Sequence, residues 1–323
     1  MNPSSSPKKI SIILPCFNEV ENLPEMGKRL KEIFGKIPEY EWEIVMVNDG
    51  STDQTLQEMR RLHNEDERFR YLDLSRNFGK EIAMLAAMDN LTGDCAIIMD
   101  ADLQHPPELI PEMLRLWEEG YDDVYARRTS RGRESWLRKK LSLAYYHLLK
   151  HTSRIPVLPN TGDFRLLDRI VVDALCDMRE TQRYTKGLYC QAGFRKKDIE
   201  FEQSDRTAGR SSMNYRRLFG LAVEGITSYT TSPLRIASVL GFIVSLVAFA
   251  YMVYVMIKAI AVGDPVAGFP SLMCVILFLG GVQLICLGIL GEYISRIFVE
   301  TKRRPPYFIR EKDGKSCRKD GIE

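Results

Sequence analysis

No C-x-x-C pair and no zinc-ligand spacing occurs among the 7 cysteines (16, 95, 176, 190, 274, 286 and 317), which argues against zinc-ribbon and thioredoxin-type sites. Several of these cysteines lie in apolar stretches, so buried reduced thiols are expected. The chain contains no G-x-G-x-x-G and no Walker loop, which argues against a dinucleotide dehydrogenase and a P-loop enzyme. It carries almost no net charge, a formal +2 over 323 residues, so total charge says little about partners. Residues 1–9 are polar and rich in Pro and Ser with no apolar core behind them, so no secretory signal is predicted there. Charge and hydropathy are distributed unevenly. Positive residues crowd 127–140, 206–217 and 296–319, and the N-terminal half holds most of the acid. Residues 1–230 read as soluble protein; residues 234–299 do not.

The first hundred residues alternate between two periodicities. Residues 10–14, 42–47, 69–74 and 95–99 are short β-branched or apolar runs that predict strands. Residues 21–33, a stretch from 51 to about 63, and residues 81–90 predict helices, the second capped by Ser51 or Thr52. Alternation at this spacing predicts βαβ units and a parallel sheet wound by helices. Ligands on such sheets bind beyond the carboxyl ends of the strands. Four of those ends carry polar loops, at 15–19, 48–53, 75–80 and 100–104. Their coincidence predicts one composite site.

The fourth loop is the most informative. Ile97, Ile98 and Met99 end in Asp100-Ala101-Asp102-Leu103-Gln104-His105-Pro106. Two carboxylates and a carboxamide at alternate positions offer hard oxygen donors suited to Mg²⁺ or Mn²⁺. Mg²⁺ sites combine one or two carboxylates with substrate phosphates, so a diphosphate is the expected co-ligand.

The C-terminal third predicts a membrane. Residues 236–257 contain no charge and match the length needed to cross a hydrocarbon core of about 30 Å, and residues 266–291 form a second such span. Lys258 and Asp264 are the charges between them. Arg216, Arg217 and Arg235 flank one side, and Arg296, Lys302, Arg303, Arg304 and Arg310 the other, which places both termini in the cytoplasm. Gly280, Gly281, Gly288 and Gly291 predict close helix approach. Residues 136–150 and 215–229 read as basic amphipathic helices able to lie in a membrane surface. The expected division is a catalytic domain over 1–232 with interfacial helices near 135–150 and 214–230, a two-helix membrane domain over 233–299, and a loose basic tail over 300–323.

The segments Pro15-Cys16-Phe17-Asn18-Glu19, Val47-Asn48-Asp49-Gly50-Ser51, Ser75 to Glu81, Met99 to Pro106, Gly162-Asp163-Phe164-Arg165-Leu166 and Arg206 to Ser212 occur in one order. In that order they resemble the family 2 glycosyltransferases, within the membrane-bound polyprenyl-phosphate hexosyltransferase group that includes dolichyl-phosphate mannose synthase. The resemblance implies an α/β GT-A (Rossmann-like) nucleotide-diphospho-sugar fold. It implies UDP-sugar binding by Pro15, Phe17, Asn18, Glu19, Asp49, Ser51, Lys80, Asp100 and Ala101, with Asp49 accepting the uracil imide proton. Asp102, Gln104 and Asp100 would hold Mg²⁺ or Mn²⁺. Asp163, Asp102 and Arg206 would be catalytic, and Arg128, Arg131, Arg206 and Ser211 would take the lipid phosphate. Many relatives have Lys at the position of Ser212, so no contact is carried over there.

Asp163 is the family's proposed base. A phosphate monoester has a second pKa of ~6 and is mostly a dianion near neutral pH, so an orienting role for Asp163 fits the chemistry as well. Paired Asp163 and Arg165 in a turn is the alternative. The implied reaction is inverting transfer of a hexose, glucose above all, from its UDP donor to undecaprenyl phosphate on the cytoplasmic leaflet of a bacterial inner membrane. Its product would feed glycosylation of wall or O-antigen polymers outside. Alternative donors are UDP-GlcNAc, UDP-galactose, a UDP-4-amino-arabinose derivative and GDP-mannose; a non-catalytic nucleotide-sugar or lipid binder is a further alternative. A processive synthase lacks support, because no Q-x-x-R-W motif is present. Membrane lipids are expected partners, nucleic acid is not, and the resemblance implies a homotetramer.

Overall fold

A computed structural model describes residues 7–128, 161–181, 183–201 and 268–317, together with scattered positions between 234 and 257. The strands β1 (Lys9–Cys16), β2 (Glu41–Asn48), β3 (Phe69–Leu74) and β4 (Cys95–Ile98) alternate with α1 (Leu23–Lys36), α2 (Thr55–Glu65) and α3 (Lys80–Met88). These are the seven elements predicted, with ends displaced by a few residues. The chain continues through α4 (Ile110–Glu118), β5 (Asp123–Arg128), β6 (Thr161–Asp168), α5 (Arg169–Asp177), α6 (Thr185–Ala192) and β7 (Lys196–Phe201). The apolar region contains α7 (Phe269–Thr301), and after it come β8 (Ile309–Lys312) and β9 (Lys315–Ser316).

The nine strands among the described residues form one sheet in the order β7-β5-β6-β4-β1-β2-β3-β8-β9. Its centre, β4-β1-β2-β3, is parallel as expected. The sheet as a whole is mixed, because β6 runs antiparallel to both β4 and β5, and β8 runs antiparallel to β3. The expected parallel sheet is thus the centre of a larger mixed one. Period-2 alternation sorts the central strands between two helical layers. Ile10, Ile12, Leu14, Ile44 and Met46 pack with Met26, Leu30 and Phe34 of α1 and Met59 of α2. On the opposite face Ile13, Val45, Val47 and Leu72 pack with Ala83, Met84 and Ala87 of α3. Each large side chain buried this way contributes about 1.5–3 kcal/mol.

Two further expectations change. The α2 N-terminus is not capped by Ser51 or Thr52: the Asp53 carboxylate accepts the Thr55 N–H at 3.0 Å, and Ser51 Oγ accepts from Asn18 instead. Residues 309–316 of the tail after Phe308 are not loose. Its charged residues form β8, and the sheet edge holds it through backbone bonds and ion pairs that composition alone does not show.

The chain divides into two compact units, residues 1–150 with 154–213 and 305–323, and residues 151–153 with 214–304. In the second unit, α7 contains the apolar stretch Phe278–Thr301, the one helix among the described residues long and apolar enough to cross a membrane. Along it Phe278, Leu284, Ile285, Ile294 and Phe298 are exposed. The described positions between 234 and 257 are helical. A Cβ added at Gly280, Gly281, Gly288 or Gly291 meets nothing within 4 Å among the described residues, whereas Cys286 of the same helix donates to the Ala237 carbonyl at 3.5 Å. The predicted interfacial helices near 135–150 and 214–230 lie outside the described residues.

Candidate active site

The four polar loops do converge at the carboxyl edge of the parallel strands. After β1, Asn18 takes a left-handed φ of 57°. Its N–H donates to Ser51 Oγ at 3.0 Å, and its Oδ1 accepts the Thr52 N–H at 2.8 Å. Glu19 N–H donates to Thr55 Oγ1 at 2.9 Å. The β1 and β2 loops are thereby locked together. Pro15 lies in β1, and Phe17 projects an exposed ring from the loop.

Asp49 is buried and clamps the third loop. Its Oδ1 accepts the Phe78 N–H at 2.7 Å and its Oδ2 the Gly79 N–H at 2.9 Å. Burial pushes its carboxyl up, and those two amides oppose the shift. Gly50 has φ +66°, and a Cβ there would lie 2.4 Å from the backbone N of Asn77. Only glycine lets the second and third loops pass this closely.

Lys80 opens α3 and reaches across the site. Its Nζ lies 2.5 Å from Asp100 Oδ1 at the end of β4 and 2.7 Å from Asp163 Oδ2 in β6. Burial alone would lower the lysine, but the two carboxylates outweigh it and hold the ammonium well above its usual range. For Asp163 burial works upward, and Lys80, followed by Lys186, overcomes it and holds the carboxyl at about 2. Asp163 Oδ1 is buried without a hydrogen-bond partner among the described residues. Such an acceptor calls for a donor, as a sugar hydroxyl would provide.

Asp163 does not pair with Arg165 in a turn. Arg165, 2% exposed, donates to Asp123 at 3.0 Å and stacks its guanidinium 3.6 Å from the Tyr189 ring centroid. Lys196 joins Asp123 at 2.9 Å. Asp163 and Arg165 share one face of β6, and they part because Asp123 and the Tyr189 ring take the guanidinium while Lys80 takes the Asp163 carboxylate.

The D-x-D loop is held from below by a residue the motif reading passed over. The His105 Nδ1 accepts the Asp100 N–H at 3.0 Å, and its ring stacks on Phe164 with centroids 5.0 Å apart. Ala101 is buried. Leu103 takes φ 60°, a conformation that costs a leucine about 1–2 kcal/mol. Asp102 Oδ1 accepts the Gln104 N–H at 3.2 Å, and Gln104 is buried. Burial first, and then Asp102, Asp100 and Asp53, push the Glu19 carboxyl up against the opposing Asn22 amide, so these four carboxylates share one field.

No group of three or more His, Cys, Asp and Glu side chains among the described residues converges as a metal cage. The donor chemistry fits a cation that takes one or two carboxylates and completes its shell with phosphate and water. Asp102 and Asp100 supply such carboxylates, with Asp100 also serving Lys80. Arg128 belongs to β5 by its backbone; its side chain, and Arg131, Arg206 and Ser211, lie outside the described residues.

With this geometry in place, comparison with known proteins decides the family. Residues 11–176, just over half of the chain, match the glycosyl transferase family 2 model. The chain is a family 2 glycosyltransferase. Residues 232–297 of this glycosyltransferase match the GtrB C-terminal hairpin. It is 42% identical to an uncharacterized glycosyltransferase of Synechocystis, over 94% of this chain and 95% of that one. It is 42% identical to a bactoprenol glucosyl transferase of Shigella phage SfX, over 94% and 99%. A prophage bactoprenol glucosyl transferase homolog of Escherichia coli is also 42% identical, over 94% and 98%. The GT-A fold expected from the motifs accords with that family and with the mixed sheet.

Proposed function

We propose that this glycosyltransferase moves glucose from UDP-glucose to undecaprenyl phosphate, with inversion at the anomeric carbon, at the cytoplasmic face of a membrane. The observation that carries the acceptor class is the ion pair of Asp163 with the Lys80 ammonium at 2.7 Å. A carboxylate held at about 2 is a poor proton acceptor. An acceptor hydroxyl would need a base there; a phosphate, with a second pKa of ~6, arrives already deprotonated. The relatives named bactoprenol glucosyl transferases, similar over nearly the whole of both chains, support glucose and a polyprenyl phosphate as the pair.

The residues divide the work as follows. Pro15, Phe17, Asn18, Glu19, Asp49 and Ser51 line the base and ribose end of the donor. Lys80 brings a cation to the diphosphate, and Ala101 packs beneath it. Asp102, Gln104 and Asp100 would hold Mg²⁺ or Mn²⁺, which would neutralise charge on the departing UDP. Asp163 accepts hydrogen bonds from the sugar hydroxyls through its unused Oδ1. Arg128, Arg131, Arg206 and Ser211 take the lipid phosphate, where the arginines offer bidentate donors. Residues 236–257 and 266–291 are the two membrane spans, a pairing that the match to a C-terminal hairpin supports. Catalysis then consists largely of bringing a soluble donor to a lipid headgroup. A homotetramer is part of the proposal.

The test at the site is titration of the full-length protein with UDP-glucose and Mn²⁺. Asp102→Ala is expected to abolish metal-dependent binding and transfer. Wild-type turnover in that variant would remove Asp102 from the metal site. Arg206→Ala is expected to raise the KM for undecaprenyl phosphate with donor affinity unchanged; equal loss of both would reject its place on the lipid side.

A further inference from the structure

The residues after the apolar helix return to the catalytic sheet, and one of them reaches the donor loops. The strand β8 pairs with β3 in the register Leu72↔Lys312, Asp73↔Glu311 and Leu74↔Ile309. Arg310 is the residue left over, the extra residue of a bulge. Bulges re-aim a side chain and occur beside active sites. Here the bulge turns the Arg310 guanidinium onto Asp73, with Nε donating to Oδ2 at 2.6 Å. Asp73 is fully buried, whereas Arg310 is largely exposed. Its other oxygen, Oδ1, accepts from the Asn48 side-chain amide at 2.7 Å. That orientation of the carboxamide leaves Asn48 Oδ1 to accept the Ser51 N–H at 3.2 Å. Ser51 Oγ in turn receives the Asn18 N–H at 3.0 Å. Four hydrogen bonds thus run from the C-terminal strand to the loops after β1 and β2.

Docking of the strand does not depend on Arg310. Glu311 accepts from Arg60 Nη2 and from the Tyr71 hydroxyl, each at 2.5 Å. Asp313 accepts the Tyr71 N–H at 2.8 Å and Arg70 Nε at 3.0 Å, and the Ser75 N–H donates to the Phe308 carbonyl at 2.9 Å. The contact of Arg310 with Asp73 is therefore free to serve another end. A buried carboxylate fixes which way the Asn48 amide points, because an ionised carboxylate only accepts hydrogen bonds and must face the NH₂ group. Removing its cation leaves a buried charge without compensation, and the amide and its loop lose their reference.

We infer, on the donor-binding reading of these loops, that Arg310 is a positioning residue for the nucleotide-sugar subsite, acting through Asp73 and Asn48. The C-terminal strand is then a working part of that subsite. Donor affinity depends on it, and the chemical step does not.

The experiment uses full-length protein in detergent, UDP-glucose with Mn²⁺ as donor, and undecaprenyl phosphate as acceptor. R310Q is expected to raise the KM for UDP-glucose about tenfold, with kcat and the KM for undecaprenyl phosphate within about twofold of wild type, the pattern of lost uniform binding. R310K, which keeps the cation but not the planar donor fork, is expected to fall between. The double variant D73N/R310Q removes both charges and keeps an oxygen facing the Asn48 amide, so it is expected to return the KM to within about threefold of wild type. E311Q loosens docking while leaving Arg310 in place, and is expected to lower thermal stability without moving the KM. An unchanged KM in R310Q and R310K overturns the inference. So does an equal rise in E311Q, which would mean that docking alone matters, or a double variant no better than R310Q. A wild-type protein that binds no UDP-glucose by calorimetry refutes the donor reading itself, and that result is distinct from an unchanged KM in an active enzyme.

Discussion

At Asp163 a buried carboxylate is kept charged by the Lys80 ammonium 2.7 Å away, and most of the site's chemistry follows from that pair. Its folded pKa, about 2, lies below the ordinary aspartate value of ~3.9. The depressed value means that Asp163 contributes stability fully present above about pH 4 and lost as pH falls towards 2. Asp163→Asn is accordingly expected to flatten acid unfolding between pH 4 and 2, followed by circular dichroism. The same value predicts that transfer loses rate on the acid side near the phosphate pKa of ~6 rather than at an aspartate pKa. An acid limb that vanishes in Asp163→Asn would return Asp163 to the role of base. Lys80→Met leaves Asp100 and Asp163 facing one another without a cation. Turnover is expected to fall by about a hundredfold, measured at saturating donor. The sequence showed Lys80, Asp100 and Asp163 as separate motif residues. It could not show that one ammonium joins them, because they lie at the start of α3, after β4 and in β6. It also offered Arg165 as the partner of Asp163, whereas the buried Asp123 takes Arg165 and Lys80 takes Asp163.

Elements with strong periodicity were legible, and those whose burial is polar were not. The strands β1 to β4 read as apolar runs because both faces are covered by helices. By contrast, β5 and β6 contain the buried pair of Asp123 and Arg165, which disguises core strands as charged sequence. The run Lys196–Phe201 is charged because β7 forms one edge of the sheet. On the far side, β8 is held by long-range ion pairs from residues more than two hundred positions earlier in the chain. The loops between these elements were visible as composition, yet their locking was not. Gly50 shows the difference: the sequence gives a turn glycine, and the structure gives a backbone crossing with no room for a Cβ. Gly50→Ala is expected to cost about 2–4 kcal/mol in urea unfolding and to weaken UDP-glucose binding by displacing the loop that leads to Lys80. A stability loss below about 0.5 kcal/mol would show that the loops separate readily.

For the molecule as a whole, hydropathy sets residues 234–299 apart from the rest of the chain, because about 20 uncharged residues have few soluble uses. The return of residues 309–316 to the catalytic sheet was not readable, since local composition carries no record of a distant sheet edge. The central claim is a glycosyl transfer in which a lipid phosphate is the nucleophile. Its most direct test places the purified full-length protein in vesicles containing undecaprenyl phosphate, adds UDP-[¹⁴C]glucose with Mn²⁺, and identifies the labelled product by mass spectrometry and anomeric NMR. Label in a single β-linked glucosyl phosphate lipid, with release of UDP, is the predicted result. Label confined to water-soluble glucose or oligosaccharide, with the lipid phosphate untouched, would contradict it.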